Sequence, residues 1–106
     1  MGKFLFQGSY TEQGLKGVLK EGGSDRVKAV EQLVKGVGGK LEVFYFAHGS
    51  DDYLIIVDVP DSVSATAISL IVNASGAVKN RTTVLITPEE LDRATKVTVG
   101  YRPPGQ

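Results

Sequence analysis

Two runs near the middle of the chain, Leu41 to His48 and Tyr53 to Val59, read as strands in which both alternating residue sets are apolar. Leu41, Val43 and Tyr45 alternate with Phe44 and Phe46, and Tyr53, Ile55 and Val57 alternate with Leu54 and Ile56. A half-buried strand carries only one such set, so a sheet built from these strands needs cover on both faces. Gly49-Ser50-Asp51-Asp52 is a polar, turn-forming connection that joins the two as a hairpin.

Lys3 to Tyr10 reads as a further strand, with Phe4, Phe6 and Tyr10 on one face and Leu5, Gln7 and Ser9 on the other. Thr11 then opens a segment containing Leu15, Val18 and Leu19. Gly14 and Gly17 each disfavour a helix there by about 1 kcal/mol relative to alanine, so this segment is predicted to be weakly helical at best. After the break at Glu21-Gly22-Gly23, a helix is expected with Ser24 as N-cap and Val27, Val30, Leu33, Val34 and Val37 on its buried face, ended by Gly38-Gly39. Pro60 ends the hairpin, and Asp61 caps a second helix running to about Ala74. Its expected buried stripe is Val63, Ala67, Leu70, Ile71 and Ala74. Gly76 suits a helix stop, and Ala77 to Ile86 gives a fourth strand with Arg81 and Thr83 on one face and Thr82 and Val84 on the other. Thr87-Pro88-Glu89-Glu90 is a helix-start signature for a short terminal helix to about Thr95, and Lys96 to Gln106 reads as a flexible tail.

The order is β-α-β-β-α-β, and its halves repeat a helix, glycine, strand unit. This predicts an α+β fold, a ferredoxin-like sandwich, as one domain over residues 1–95 with a tail over 96–106. Handedness rules put both helices on one face of a four-stranded antiparallel sheet. The other face, still largely apolar, is expected to be closed by a second copy of the chain, as a homodimer or a multiple of dimers. About 800 Å² per partner is enough for a stable interface of this kind.

Particular residues also carry a family likeness. Tyr10-Thr11-Glu12-Gln13-Gly14, the helix-end glycines before the aromatic strand, and Gly49-Ser50-Asp51-Asp52 running through Ile55-Ile56-Val57-Asp58-Val59-Pro60-Asp61 into a helix resemble the GYD-domain family. The resemblance covers about residues 3 to 90 and implies a dimeric α/β barrel of ferredoxin-like proteins, a poorly characterised group. It supplies no catalytic residues. Where the family pattern has its signature tyrosine this sequence has Asp51, while Asp52 holds the aspartate position and Tyr53 follows.

Composition narrows the function classes. The 106 residues carry 12 basic and 12 acidic side chains, which argues against nucleic acid as a partner. With no cysteine there is no disulfide, thiolate metal site or cysteine nucleophile, and the cytoplasm is the expected compartment. No run approaches the roughly 20 apolar residues that span a bilayer, so no membrane role is expected. Gly36-Val37-Gly38-Gly39 follows a helix and precedes a strand, the reverse of a dinucleotide-binding turn.

His48 is the sole histidine, so paired-histidine metal sites are excluded, and neither a metal nor a cofactor is expected. His48 and Asp58 are the candidate catalytic groups. Asp58 interrupts an apolar strand, where its carboxylate must be partnered, solvated or set in a pocket. The candidate ligand-binding set is Gln7, Ser9, Tyr10, Phe46, His48, Asp52, Asp58 and Arg81, placed around a cleft at the sheet face and dimer interface. A four-residue hairpin loop and a bulged hairpin give opposite pairings, so the sequence leaves open whether His48 and Asp58 share a face. The favoured expectation is a homodimer binding a small, partly apolar metabolite. The alternative is a cofactor-light enzyme of monooxygenase or isomerase type using His48 or Asp58. A haem or metal protein would need His48 as its ligand.

Overall fold

Alternation in the first strand decides how the sheet faces. In the computed structural model, which describes residues 2–106, β1 (Gly2–Tyr10) buries Phe4 and Phe6 and leaves Lys3, Leu5, Gln7 and Ser9 on the opposite side. The remaining elements are α1 (Glu12–Glu21), α2 (Gly23–Gly36), β2 (Lys40–Phe46), β3 (Tyr53–Val59), α3 (Ser62–Ala74), β4 (Val78–Leu85) and α4 (Pro88–Ala94). The strands form one antiparallel sheet in the order β2-β3-β1-β4. This is the ferredoxin-like arrangement, with a helix inserted after β1 and another after β4.

Register matches the burial pattern. Phe4 lies opposite Val57 and Phe6 opposite Ile55, so the buried residues of the two central strands share one face. Val34 of α2 and Ala65 and Ile68 of α3 cover that face, to which Tyr53 and Val59 of β3 and Val78 of β4 also belong. Each fully buried aliphatic side chain here, such as Val57 or Val59, contributes about 1.5 to 3 kcal/mol. Among the described residues no element covers the other face, which carries Leu5, Val43, Leu54 and Ile56 between polar residues.

Several local expectations are corrected. The segment after Thr11 is a full helix, because tertiary contacts outweigh its glycines. Thr11 caps α1 by accepting the Gly14 N–H (3.2 Å), and its hydroxyl donates to the Gly76 carbonyl (2.7 Å). Gly14 itself permits the approach, since a Cβ there would stand 2.0 Å from the Ala77 carbonyl oxygen. α2 begins at Gly23 rather than after a Ser24 cap, with Gly22 serving both as the C-cap of α1 and as the residue before α2.

β2 ends at Phe46, so the connection to β3 spans residues 47–52, and a register shift between Leu41 and Val43 marks a bulge in β2. The buried stripe of α3 is Ala65, Ile68 and the partly buried Val72. Val63, Leu70 and Ile71 point outward instead, being 75%, 66% and 67% exposed. The two stripes lie on nearly opposite faces of a helix that is apolar on both, so local pattern does not choose between them, and the rotation of α3 about its own axis against the sheet does.

Candidate functional site

The polar groups that enter the layer between helices and sheet come from four elements. Tyr10 ends β1, Tyr53 starts β3, Asn80 lies in β4 and Arg26 in the first turns of α2. Together with apolar side chains that include Phe6, Val30, Phe44 and Ile68, they line a cavity of about 40 Å³. Two wider grooves adjoin it. One, of about 230 Å³, runs beside α1 past Gly14 and Val18, and the other, of about 280 Å³, runs between α2 and α3 past Leu33 and Val72. Arg26 and Val78 line all three spaces, so Arg26 stands where the grooves meet the cavity.

The two tyrosine rings lie 5.5 Å apart between centroids, tilted by 53°. The Tyr53 hydroxyl donates to Asn80 Oδ1 at 2.6 Å. Asn80 is held in turn by Asn73 of α3, whose Oδ1 accepts the Asn80 N–H (2.7 Å) and whose Nδ2 donates to the Asn80 carbonyl (3.2 Å). Burial pushes the Tyr53 phenol well above its ordinary range and raises Tyr10 as well, the Arg26 guanidinium opposing the rise at Tyr10. Both phenols are therefore neutral hydrogen-bonding groups at physiological pH. Among the described residues the ion pair of Arg26 is a loose one, with Glu21 4.0 Å away, and its guanidinium also stands against the Tyr10 hydroxyl, so its charge is only weakly compensated at the mouth.

The residues singled out from sequence separate into four places. Tyr10 lines the cavity. Gln7, Ser9, Asp58 and Arg81 lie on the uncovered sheet face, the side to which alternation assigns them. Phe46 stands on the helix side, its ring centroid 5.0 Å from that of Phe44, at an edge of the molecule away from the cavity lining.

His48 and Asp52 belong to the β2–β3 connection. His48 is exposed there beside Gln7, Asp51 and Leu54. Asp52 is a fastener: its Oδ2 accepts the Tyr10 N–H (2.9 Å), its own N–H donates to the Gly8 carbonyl (2.8 Å), and its carbonyl accepts the Ala47 N–H (2.8 Å). Asp51 makes a two-pronged pair with Arg81, both contacts at 2.9 Å, which holds the Asp51 carboxyl below its usual range.

His48 and Asp58 stand at opposite ends of β3. Asp58 lies five residues beyond Tyr53, roughly 17 Å along the strand. It neighbours Lys3 (3.5 Å), which also pairs with Glu42, and its Oδ1 is buried without a hydrogen-bond partner. Among the described residues no three histidine, aspartate or glutamate side chains converge in a way that could hold a metal ion, and no helix is long and apolar enough to cross a membrane.

Arg26 and Asn80 are absent from the sequence-derived set. The signal for Arg26 was present: it precedes Val30 by four residues and Leu33 by seven, which sets a cation in the apolar stripe of α2. Asn80 gives no such signal, because its role depends on α3 bringing Asn73 beside β4.

No curated protein and no solved structure matches the chain. The GYD domain family matches residues 4–95, a span that takes in all four strands except the first two residues of β1, together with the helices and the Asp52 fastener. By that match, which covers most of the chain, the chain belongs to the GYD domain family.

Proposed function

We propose that this chain is a homodimeric binding protein for a small, partly apolar anion, of the size and chemistry of an aromatic carboxylate. The observation that carries the reading is the place of Arg26, a cation with a weak partner at the junction of two grooves and an apolar cavity lined by Tyr10, Tyr53 and Asn80. A ligand seated there leaves its carboxylate at the guanidinium and directs its ring between the helices and the sheet. Binding of this kind combines apolar burial with a charge-assisted hydrogen bond. The cavity, at about 40 Å³, is well below the roughly 150 Å³ of an apolar cavity that takes benzene, so entry requires α2 and α3 to part. Dimerisation is supported by the uncovered sheet face, where Leu5, Val43, Leu54 and Ile56 form the apolar centre.

The test is a thermal-shift titration with benzoate, 4-hydroxybenzoate and uncharged benzyl alcohol. A ligand that binds only the native state raises the melting temperature as its concentration passes Kd. Stabilisation by the carboxylates is expected in the parent protein and in His48→Ala, and its loss in Arg26→Gln. A shift that is absent for all carboxylates, or equal in parent and Arg26→Gln, overturns the reading.

A further inference from the structure

The C-terminal segment conflicts with its surroundings. Every residue from Pro88 to Gln106 is exposed, including Leu91, Val97, Val99 and Tyr101. Val97, Val99 and Tyr101 alternate with Lys96, Thr98, Gly100 and Arg102, a period-two pattern with β-branched and aromatic residues on one side. That is the pattern of a strand with one buried face, yet among the described residues the segment pairs with no strand of its own chain. Helix α4 has a complete capping box at Thr87 and Glu90, but a seven-residue helix is far below the length that is stable alone in water. The radius of gyration, 16.9 Å, exceeds the roughly 13 Å of a close-packed chain of this length, and the long axis measures 56 Å. The arm therefore leads away from the sheet instead of folding back along β4.

The sheet also has an edge that fits such an arm. β4 lies at one end of the strand order and pairs with β1 alone. The Gly8 carbonyl accepts from Asp52, on the β3 side, so the even-numbered residues of β1 bond toward β3 and the odd-numbered ones toward β4. In β4 the partners of the even-numbered residues, Asn80, Thr82 and Val84, consequently turn their backbone groups outward. Asn73 satisfies those of Asn80, as a neighbouring strand would. No hydrogen bond among the described residues satisfies those of Thr82 and Val84. Val84 and Ile86 are 65% and 58% exposed on the helix side of this edge, whereas the opposite side carries Lys79, Arg81 and Thr83. The other sheet edge, β2, is interrupted by its bulge, a device that discourages strand addition.

We propose that residues Lys96 to Arg102 of one copy add as a strand to the Thr82–Val84 edge of a second copy, with Val97, Val99 and Tyr101 covering Val84 and Ile86, and that the exchange is reciprocal. The occupant is a second copy because the own arm points away from its own edge, and because reciprocal exchange closes both arms and both edges in one two-fold dimer. This rests on the homodimer proposed above and on nothing about its ligand.

The chain has no cysteine, so engineered ones report directly. Val84→Cys protein is mixed with Val97→Cys, Val99→Cys or Tyr101→Cys protein and oxidised mildly. Registers two residues apart bring one of the three opposite position 84, within the Cα separation a disulfide accepts. The expected result is a mixed-chain disulfide dimer in one of the three mixtures, and an apparent Kd for dimerisation raised at least tenfold by Val99→Asp with Tyr101→Asp. A light-scattering dimer with no mixed-chain disulfide overturns the arm exchange alone. A disulfide formed within single chains of the Val84→Cys/Val99→Cys double variant shows that the arm folds back and also overturns it. A parent chain that is monomeric at all concentrations overturns both the exchange and the homodimer.

Discussion

Asp52 shows how much a single side chain can fix in this fold. It accepts the Tyr10 N–H where β1 leaves the sheet, while its backbone ties the β2–β3 connection to Gly8 and Ala47. Asp52→Ala leaves that N–H without its acceptor and is expected to cost about 1 to 3 kcal/mol in urea unfolding, whereas Asp52→Asn restores most of it. Gly8 is equally constrained, since a Cβ there would lie 2.0 Å from the Lys79 carbonyl oxygen and 2.7 Å from the Tyr53 hydroxyl. Gly8→Ala is expected to lose about 3 kcal/mol and to disturb the Tyr53–Asn80 hydrogen bond, visible as a change in tyrosine near-ultraviolet circular dichroism.

Three carboxyls are held below their ordinary range: Asp51 by Arg81, Asp61 by the Ser64 N–H and Glu90 by the Thr87 N–H. A carboxyl whose folded value is depressed stabilises the fold above its unfolded value, about 4, and loses that contribution as the pH falls below it. The urea midpoint is therefore expected to decline below pH 4, and Asp51→Asn to make that decline shallower.

Among the elements, α3 and α1 show how packing overrides local preference. Ile68 is 5% exposed against the sheet and Ile71, three residues on, is 67% exposed. Ile68→Ala is expected to cost about 2 to 5 kcal/mol, while Ile71→Ala is nearly neutral in the isolated fold, a contrast that equilibrium unfolding of the two variants measures. α1 holds its two interior glycines because Thr11 ties it to the turn after α3. Thr11→Ala removes both the cap and the bond to Gly76 and is expected to cost about 1 to 2 kcal/mol, with faster hydrogen exchange confined to α1.

For the whole molecule the decisive feature is a sheet covered by helices on one face only. Ile56 stands in the central strand β3, opposite Leu5, in the middle of the uncovered face. Ile56→Lys sets a charge where the proposed partner packs. It is expected to halve the mass seen by light scattering while leaving the far-ultraviolet circular dichroism unchanged. A variant that keeps the parent mass excludes this face as the interface.

Strand alternation, turn residues and proline positions by themselves determined the element order, the helix-covered face of β1 and β4, and the capping of α3 and α4. These are local properties, readable because side-chain period and capping geometry depend on residues a few positions apart. The face of α3 that is buried, the helicity of α1 and the separation of His48 from Asp58 came only with the tertiary structure. They depend on which way a two-sided apolar helix is rotated about its axis against the sheet, on a backbone approach at Gly14, and on the six-residue connection that places His48 beyond one end of β3 with Asp58 near the other. The cavity is the clearest case. Tyr10, Arg26, Tyr53 and Asn80 are scattered along the chain, and only the stacking of α2 and α3 on the sheet makes them neighbours.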